Sequence, residues 1–288
     1  MLKVRAQSAM EYLMTYGWAI LIIAVVLGVL FQLGVFSGSA LAPKAPPGAC
    51  QIVRLGGQMS LEGECQGQLP QYVAQFNGNS IITIQDQGTG NGPLRPNNLT
   101  VSVWEFSNIP TSPTQSLLSH GHAGYGALSY EIGTAGFCFQ ISSATSCISL
   151  ATSDSHWYNL VGTVSYNPST GNSIIKTYIN GTEIAQNSES GSLNYVYSAS
   201  VILGQGASGC CNYFSGSMAN VQLYNVSLSS NEVMALYREG IGGAPANIQN
   251  IMGWWPLNGN AQDYSGNNHN GQVTNVIFNG SWNSQYTP

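Results

Sequence analysis

Charge is what this 288-residue chain has least of: 7 Lys and Arg and 12 Asp and Glu make up 7% of its residues. An ordinary soluble domain carries roughly 25%. With so few cations and a net charge of −5, no basic stripe exists to hold a phosphate backbone, and nucleic acid is excluded as a partner. The sequence also lacks a Cys-x-x-Cys spacing, a glycine-rich phosphate loop and a dinucleotide fingerprint. Its histidines, His120, His122, His156 and His269, are dispersed, which argues against a zinc centre. His120 and His122 flank a turn and read as solvated side chains.

The missing charge is not replaced by disorder, which needs low hydrophobicity together with high charge. The apolar fraction is 43%, with 15 Tyr and 6 Trp. Gly, Asn, Ser, Thr and Gln fill the remainder, a composition suited to many short strands joined by tight turns.

At the N-terminus Lys3 and Arg5 precede a lone carboxylate, Glu11, and then Tyr12–Phe36, in which only Thr15 and Gln32 are clearly polar. As a helix these residues would span about 37 Å, enough to cross roughly 30 Å of hydrocarbon. A plain membrane anchor or a secretory signal would also begin this way. The run is longer than the 7–15 apolar residues of a cleaved signal, and no convincing small-residue cut site follows it. "VRAQSAMEYLMTYGWAILII" resembles the class III signal peptide of archaeal type IV pilin-like proteins. The resemblance implies that prepilin peptidase cuts between Ala6 and Gln7, removing residues 1–6 and leaving 7–36 as a hydrophobic helix. Glu11 then becomes the fifth mature residue and pairs with the α-amino group of a neighbouring subunit, since a carboxylate among apolar helices is costly unless paired. Thr15, Gly17, Ala19, Ala24 and Gly28 offer small contact points for close helix packing.

Residues 37–49 are small and Pro-rich, an extended spacer. Beyond them the chain reads as short strands, among them "SIITIQD", "LTVSVWEF", "YNLVGTVSY", "IIKTYING" and "MANVQLYNVSL". Asn180-Gly181 marks a hairpin. "SSNEVMALYREGIGG" carries a capping box at Ser229 and Glu232 and ends at Gly240, which predicts one short helix. The fold class is therefore α+β overall: an N-terminal helix, then an all-β two-sheet jelly roll over 50–288. "HWYNLVGT", "YINGTEIA" and "GSMANVQLYN" with its following helix resemble a laminin-G-like, concanavalin A-type jelly roll over residues 70–240.

In that family the element "IMGWWPLNGNAQDYSGNNHNGQVTNVIF" opens the domain, whereas here it closes the chain. Residues 251–288 are expected to supply the displaced first strands of their own sandwich, a circular permutation. Donation to a neighbouring subunit is the alternative. In either case "GWWPL" should pair beside "MANVQLYN". The same segment gathers hard oxygen donors: Asp263 with Asn260, Asn267 and Asn268. The family resemblance implies calcium in such a loop, while the residues alone equally allow an Asx turn in which Asp263 caps backbone amides.

Six cysteines in an exported domain read as disulfides. Local separations favour Cys50–Cys65, Cys138–Cys147 and a vicinal Cys210–Cys211, with rearranged pairings open. Sequons stand at Asn98, Asn180, Asn225 and Asn279. Catalysis is not expected. A glycoside hydrolase needs two carboxylates close together across its sugar face, and no such cluster lies on a strand; Glu62 and Glu64 fall in a Gly-rich stretch ahead of the recognisable fold.

These features together predict the subunit of an archaeal pilus-like surface filament. It would be membrane-inserted before assembly, built from copies of itself by the pilus machinery, and would display an adhesive jelly-roll head. The alternative is a membrane-anchored lectin that never polymerises, with glycans stacking on rings such as Tyr125 or Tyr213.

Overall fold

A computed structural model describes the backbone of residues 3–32, 43–56, 58–62, 68–86, 92–106, 115–122, 127–133, 138–141, 144–147, 156–193, 195, 200–206, 213–282 and 286. Side chains are described over these residues except 3–13, 15, 31–32, 55, 62 and 121–155. The chain divides into two compact units, Met1–Ala42 and Pro43–Tyr286.

Among its described residues the first unit holds one helix, Lys3–Gln32. Met14, Tyr16, Trp18, Ile20–Ile23, Val25–Leu27 and Val29 are about half exposed or more. Apolar residues lie on every described face rather than in one stripe. Among the described residues no helix is long and apolar enough to cross a membrane. The unbroken stretch with described side chains, residues 16–30, is about 22 Å long against roughly 30 Å of hydrocarbon.

The second unit is built on two sheets. One has seven strands in the order Ala144–Cys147, Cys138–Ile141, Ala127–Gly133, Ser116–His122, Val201–Leu203, Ile81–Ile84 and Gly271–Thr274. The other runs Thr182–Ser190, Asn172–Ile179, Tyr158–Asn167, Leu99–Phe106, Ser215–Tyr224, Val73–Asn77 and Ile277–Asn279, with Ile251–Trp255 also paired on Ser215–Tyr224. Strict alternation explains the packing. Leu99, Val101 and Val103 point between the sheets and meet Ile82, Ile84, Leu118, Val201 and Leu203 in one core. The other face of the second sheet is also covered: Val161, Tyr178 and Tyr224 pack against Val233 and Leu236 of helix Ser230–Glu239 and against Ile52 of the hairpin formed by Gln51–Leu55 and Gln58–Glu62.

Local signals in the sequence act where expected. The hairpin between Asn172–Ile179 and Thr182–Ser190 turns at Asn180 and Gly181, whose φ values of 48° and 78° give the left-handed turn that Asn-Gly favours. Ser229 accepts from the Glu232 amide while Glu232 accepts from Ser229, a reciprocal capping box.

The C-terminal segment belongs to both layers of this sandwich. Val221 pairs with Trp255 and Gln222 with Trp254. Adjacent tryptophans therefore face opposite ways: Trp255 enters the inter-sheet core and Trp254 the core beneath the helix. Gly253 makes room for this, since a Cβ there would fall 2.2 Å from the Trp255 ring. Farther on, Gly271–Thr274 and Ile277–Asn279 add the last strand to each sheet. Trp282 donates to the Pro70 carbonyl at 3.1 Å and packs edge-on to Trp157. Tyr286 meets Trp104 edge-on, and Trp104 stacks on Tyr237.

Candidate functional site

The helix and the Gln51–Glu62 hairpin bury the far side of the second sheet, which leaves the outer face of the seven-stranded sheet as the broad surface of the sandwich. Register assigns its residues. Val201, Leu203, Ile82 and Ile84 point into the core, so their neighbours Ile202 and Thr83, paired with each other, point outward. Gln272 pairs with Thr83 and Thr274 with Ile81 on the same side, and Ser119 pairs with Ile202. The register position of Ser119 continues to Glu131, then to Gln140, then to Thr145. Among the described side chains one row thus joins Gln272, Thr83, Ile202 and Ser119. Ile202 is its one hydrocarbon side chain. Gln272 and Thr274 are exposed, Thr83 and Ile202 half-buried. Ser119 is buried, and its hydroxyl donates to the Gln205 carbonyl at 2.7 Å.

Behind this face, on the inward side of the same strands, lies a buried ionic cluster. Asp86 Oδ2 accepts from Arg95 Nε and lies 2.9 Å from His120 Nε2, with all three side chains fully buried. Tyr195 packs edge-on against His120 and donates to the Pro96 carbonyl. Burial opposes ionisation of Asp86, but the hydrogen bonds and charges of His120 and Arg95 outweigh it and hold the carboxyl below its usual range. This arrangement corrects the expectation that His120 is solvated: it sits within a strand, paired with Val201, where only the inward side is open to it.

The Asp263 loop is a closed structural knot. Asp263 Oδ1 accepts from the backbone N–H groups of Trp254 and Ser265, and Oδ2 from that of His269. The Asp263 amide in turn donates to Asn270 Oδ1. Asn260 Oδ1 accepts from the Gln262 amide, and Asn267 donates to the Ile251 and Met252 carbonyls. Asn268 is exposed, with φ of 62°. Three backbone amides take three of the roughly four acceptor positions of the Asp263 carboxylate, which is shielded from solvent, so these residues fit the Asx-turn alternative better than the metal. Among the described residues no group of three or more His, Cys, Asp or Glu side chains converges as a metal site.

Other expected site residues fall in separate places. Ala6 and Gln7 lie within helix Lys3–Gln32, as does the backbone of Glu11. Cys50 is disulfide-bonded, and Cys138 stands opposite Cys147 in strand register. Cys65, Cys210, Cys211 and Tyr125 lie outside the described residues, as do Glu64 and the linker 37–42. Tyr213 is half-buried just ahead of strand Ser215–Tyr224.

The polar row escaped the sequence reading because it exists only through register between strands distant in the chain. The alternation in "SIITIQD" shows which residues of one strand share a face, but nothing local shows which strand lies beside it.

Compared with known families, residues 77–234, more than half of the chain, match the concanavalin A-like lectin/glucanases superfamily. No curated protein sequence matches. Among solved structures, a Bacteroides ovatus protein assigned to carbohydrate binding is similar at 14% identity and a TM-score of 0.52, over 78% of this chain and 64% of that one. Domain 4 of AbnA, an extracellular arabinanase of Geobacillus stearothermophilus solved with arabinotriose, aligns at 18% identity and a TM-score of 0.43, over 70% of this chain and 96% of the domain. The NanB sialidase of Streptococcus pneumoniae aligns at 16% identity and a TM-score of 0.39, over 58% of this chain but 28% of the sialidase. The chain thus spans less than two thirds of the first and last of these structures. At such identities the likeness shows the fold alone.

Proposed function

This chain belongs to the concanavalin A-like lectin/glucanases superfamily, and from that premise we propose that it is a carbohydrate-binding surface protein whose glycan lies along the row Gln272–Thr83–Ile202. The outward row itself carries the reading. Its hydroxyl and amide groups can donate to and accept from sugar hydroxyls, and Ile202 offers an apolar spot for a sugar C–H face. The similar solved structure assigned to carbohydrate binding agrees with it.

Binding without turnover is part of the proposal, and the positions of five described carboxylates support it. Asp86 is held by Arg95 and His120, Glu105 is buried, Glu183 pairs with Lys176, Glu232 caps a helix, and Asp263 caps three amides. The test is calorimetric titration of the detergent-solubilised full chain with a panel of neutral and acidic oligosaccharides. Saturable binding to members of the panel supports the reading, and no binding to any overturns it.

A second proposal concerns display. The "QSAMEY" stretch near the start of a helix whose described apolar side chains are exposed supports a pilus-like filament in which residues 7–36 of many copies pack together, the head standing outside. Glu11→Ala should leave export intact and reduce filament yield. Surface material that sediments as detergent micelles rather than as long fibres would favour the tethered, non-polymerising lectin.

A further inference from the structure

Four Asn-x-Ser/Thr sequons occur, and the fold treats them very differently. Asn98 turns its carboxamide inward, Oδ1 accepting from the Tyr166 amide at 2.7 Å. Its partner Thr100 is fully buried, donating to the Val226 carbonyl and accepting from the Leu228 amide. Asn180 forms the left-handed corner of a two-residue hairpin turn, and its Oδ1 accepts from the Asn159 amide. Asn279 ends a strand paired with Val73, and its Oδ1 accepts from the Ser281 amide. In these three Oδ1 is committed to a turn or strand cap, which fixes the direction of the Nδ2 that would carry a glycan.

Asn225 differs. It follows strand Ser215–Tyr224 and precedes helix Ser230–Glu239, so Asn225-Val226-Ser227 lies in neither helix nor strand. Its side chain is exposed, and its backbone amide alone is used, donating to the Asn250 carbonyl. It also borders an open recess of about 360 Å³ lined by Pro93, Arg95, Pro96, Asn97 and Asn98, at the lower end of the roughly 300–1,000 Å³ of ligand clefts. Asn97 and Asn98 give this lining polar groups beside the apolar Pro93, Pro96 and Met252, and Asn225 belongs to its edge, so the first sugars of an attached chain have a place to lie.

We infer that Asn225 is the N-glycosylated residue of this protein and that the recess beside it seats the proximal sugars. The inference rests on the surface location proposed above. The donor is an oligosaccharide linked through phosphate to a lipid. Asn225 Nδ2 attacks C1 of the first sugar, the C1–O bond to phosphate breaks as the C1–N bond forms, the lipid phosphate departs, and Nδ2 gives up one of its two protons. No oxidation or reduction is involved.

The test is glycopeptide mass spectrometry of the chain recovered from the surface of its native cells. All glycan mass should sit on the peptide containing Asn225. Asn225→Gln and Ser227→Ala should each abolish it, and Asn279→Gln, away from the recess, should leave it unchanged. Glycan on any other sequon, or a bare Asn225, overturns the inference. A bare chain recovered from the surface that still binds oligosaccharides leaves the carbohydrate-binding reading standing, whereas a bare chain retained inside the cell overturns both.

Discussion

Nε2 of His120 lies 2.9 Å from the same Asp86 oxygen that accepts from Arg95, and the three side chains are fully shielded from solvent. One carboxylate therefore serves two cationic or donor groups at the end of the inter-sheet core, where Ile82 and Ile84 of the preceding strand are already buried. Asp86→Asn keeps the shape but removes the buried carboxylate charge that faces Arg95 and His120. Breaking a buried pair in this way costs about 3–5 kcal/mol. Urea unfolding should show a lower midpoint with an unchanged slope; an unchanged midpoint would show that the cluster contributes nothing.

Acid should act through the same residue. The folded pKa of Asp86 is below its ordinary 3.8, so the unfolded chain binds the proton more readily. The stability Asp86 contributes is complete above pH 3.8 and is lost as pH falls from there toward the folded value. Alkali acts through tyrosines. Burial raises Tyr195, Tyr224 and Tyr286 above the ordinary 10.0. Their neutral forms are favoured by folding, so stability falls as pH rises past 10 toward the folded values. Melting temperature against pH should drop at both extremes, with the acid arm flattened in Asp86→Asn.

Asp263 should matter to the fold and not to calcium. Asp263→Ala leaves the amides of Trp254, Ser265 and His269 without their acceptor, a loss of at least about 2 kcal/mol. Differential scanning calorimetry should show the drop, and added calcium should leave the melting temperature of the native chain unchanged. A calcium-dependent rise that Asp263→Ala removes would contradict this account of the loop.

The C-terminal aromatic pair should hold the last strands in place. Trp282 is 4% exposed and reaches Trp157, Tyr286 and the Pro70 carbonyl. Trp282→Ala should cost about 3–5 kcal/mol, the range for a buried tryptophan. Hydrogen exchange should rise in Ile277–Asn279 before it rises in Leu99–Phe106, because the former is an edge strand and the latter is central.

Much of the architecture was legible in the sequence where the governing interaction is local. The Asn180-Gly181 turn, the Ser229–Glu232 cap and the alternation of Leu99–Phe106 each require only a few neighbouring residues. The pairing of "GWWPL" beside "MANVQLYN" came from a family resemblance, and the register Val221 to Trp255 gives it a geometry. The Asp86–Arg95–His120 cluster was not legible, because a His in a short Ser- and Gly-bearing run looks solvated until the strand beside it is known. The row through Gln272, Thr83, Ile202 and Ser119 was hidden for the same reason: its members lie far apart in the chain and meet only through cross-strand register.

The most direct test of the account is oligosaccharide binding by the full chain with the outer row altered. Thr83→Ala and Gln272→Ala remove outward polar groups without touching the core, and each should weaken affinity about tenfold, the worth of one or two hydrogen bonds. Melting temperature should stay within the small range of surface substitutions. Binding that is undiminished in both variants would contradict the placement of the glycan on this face.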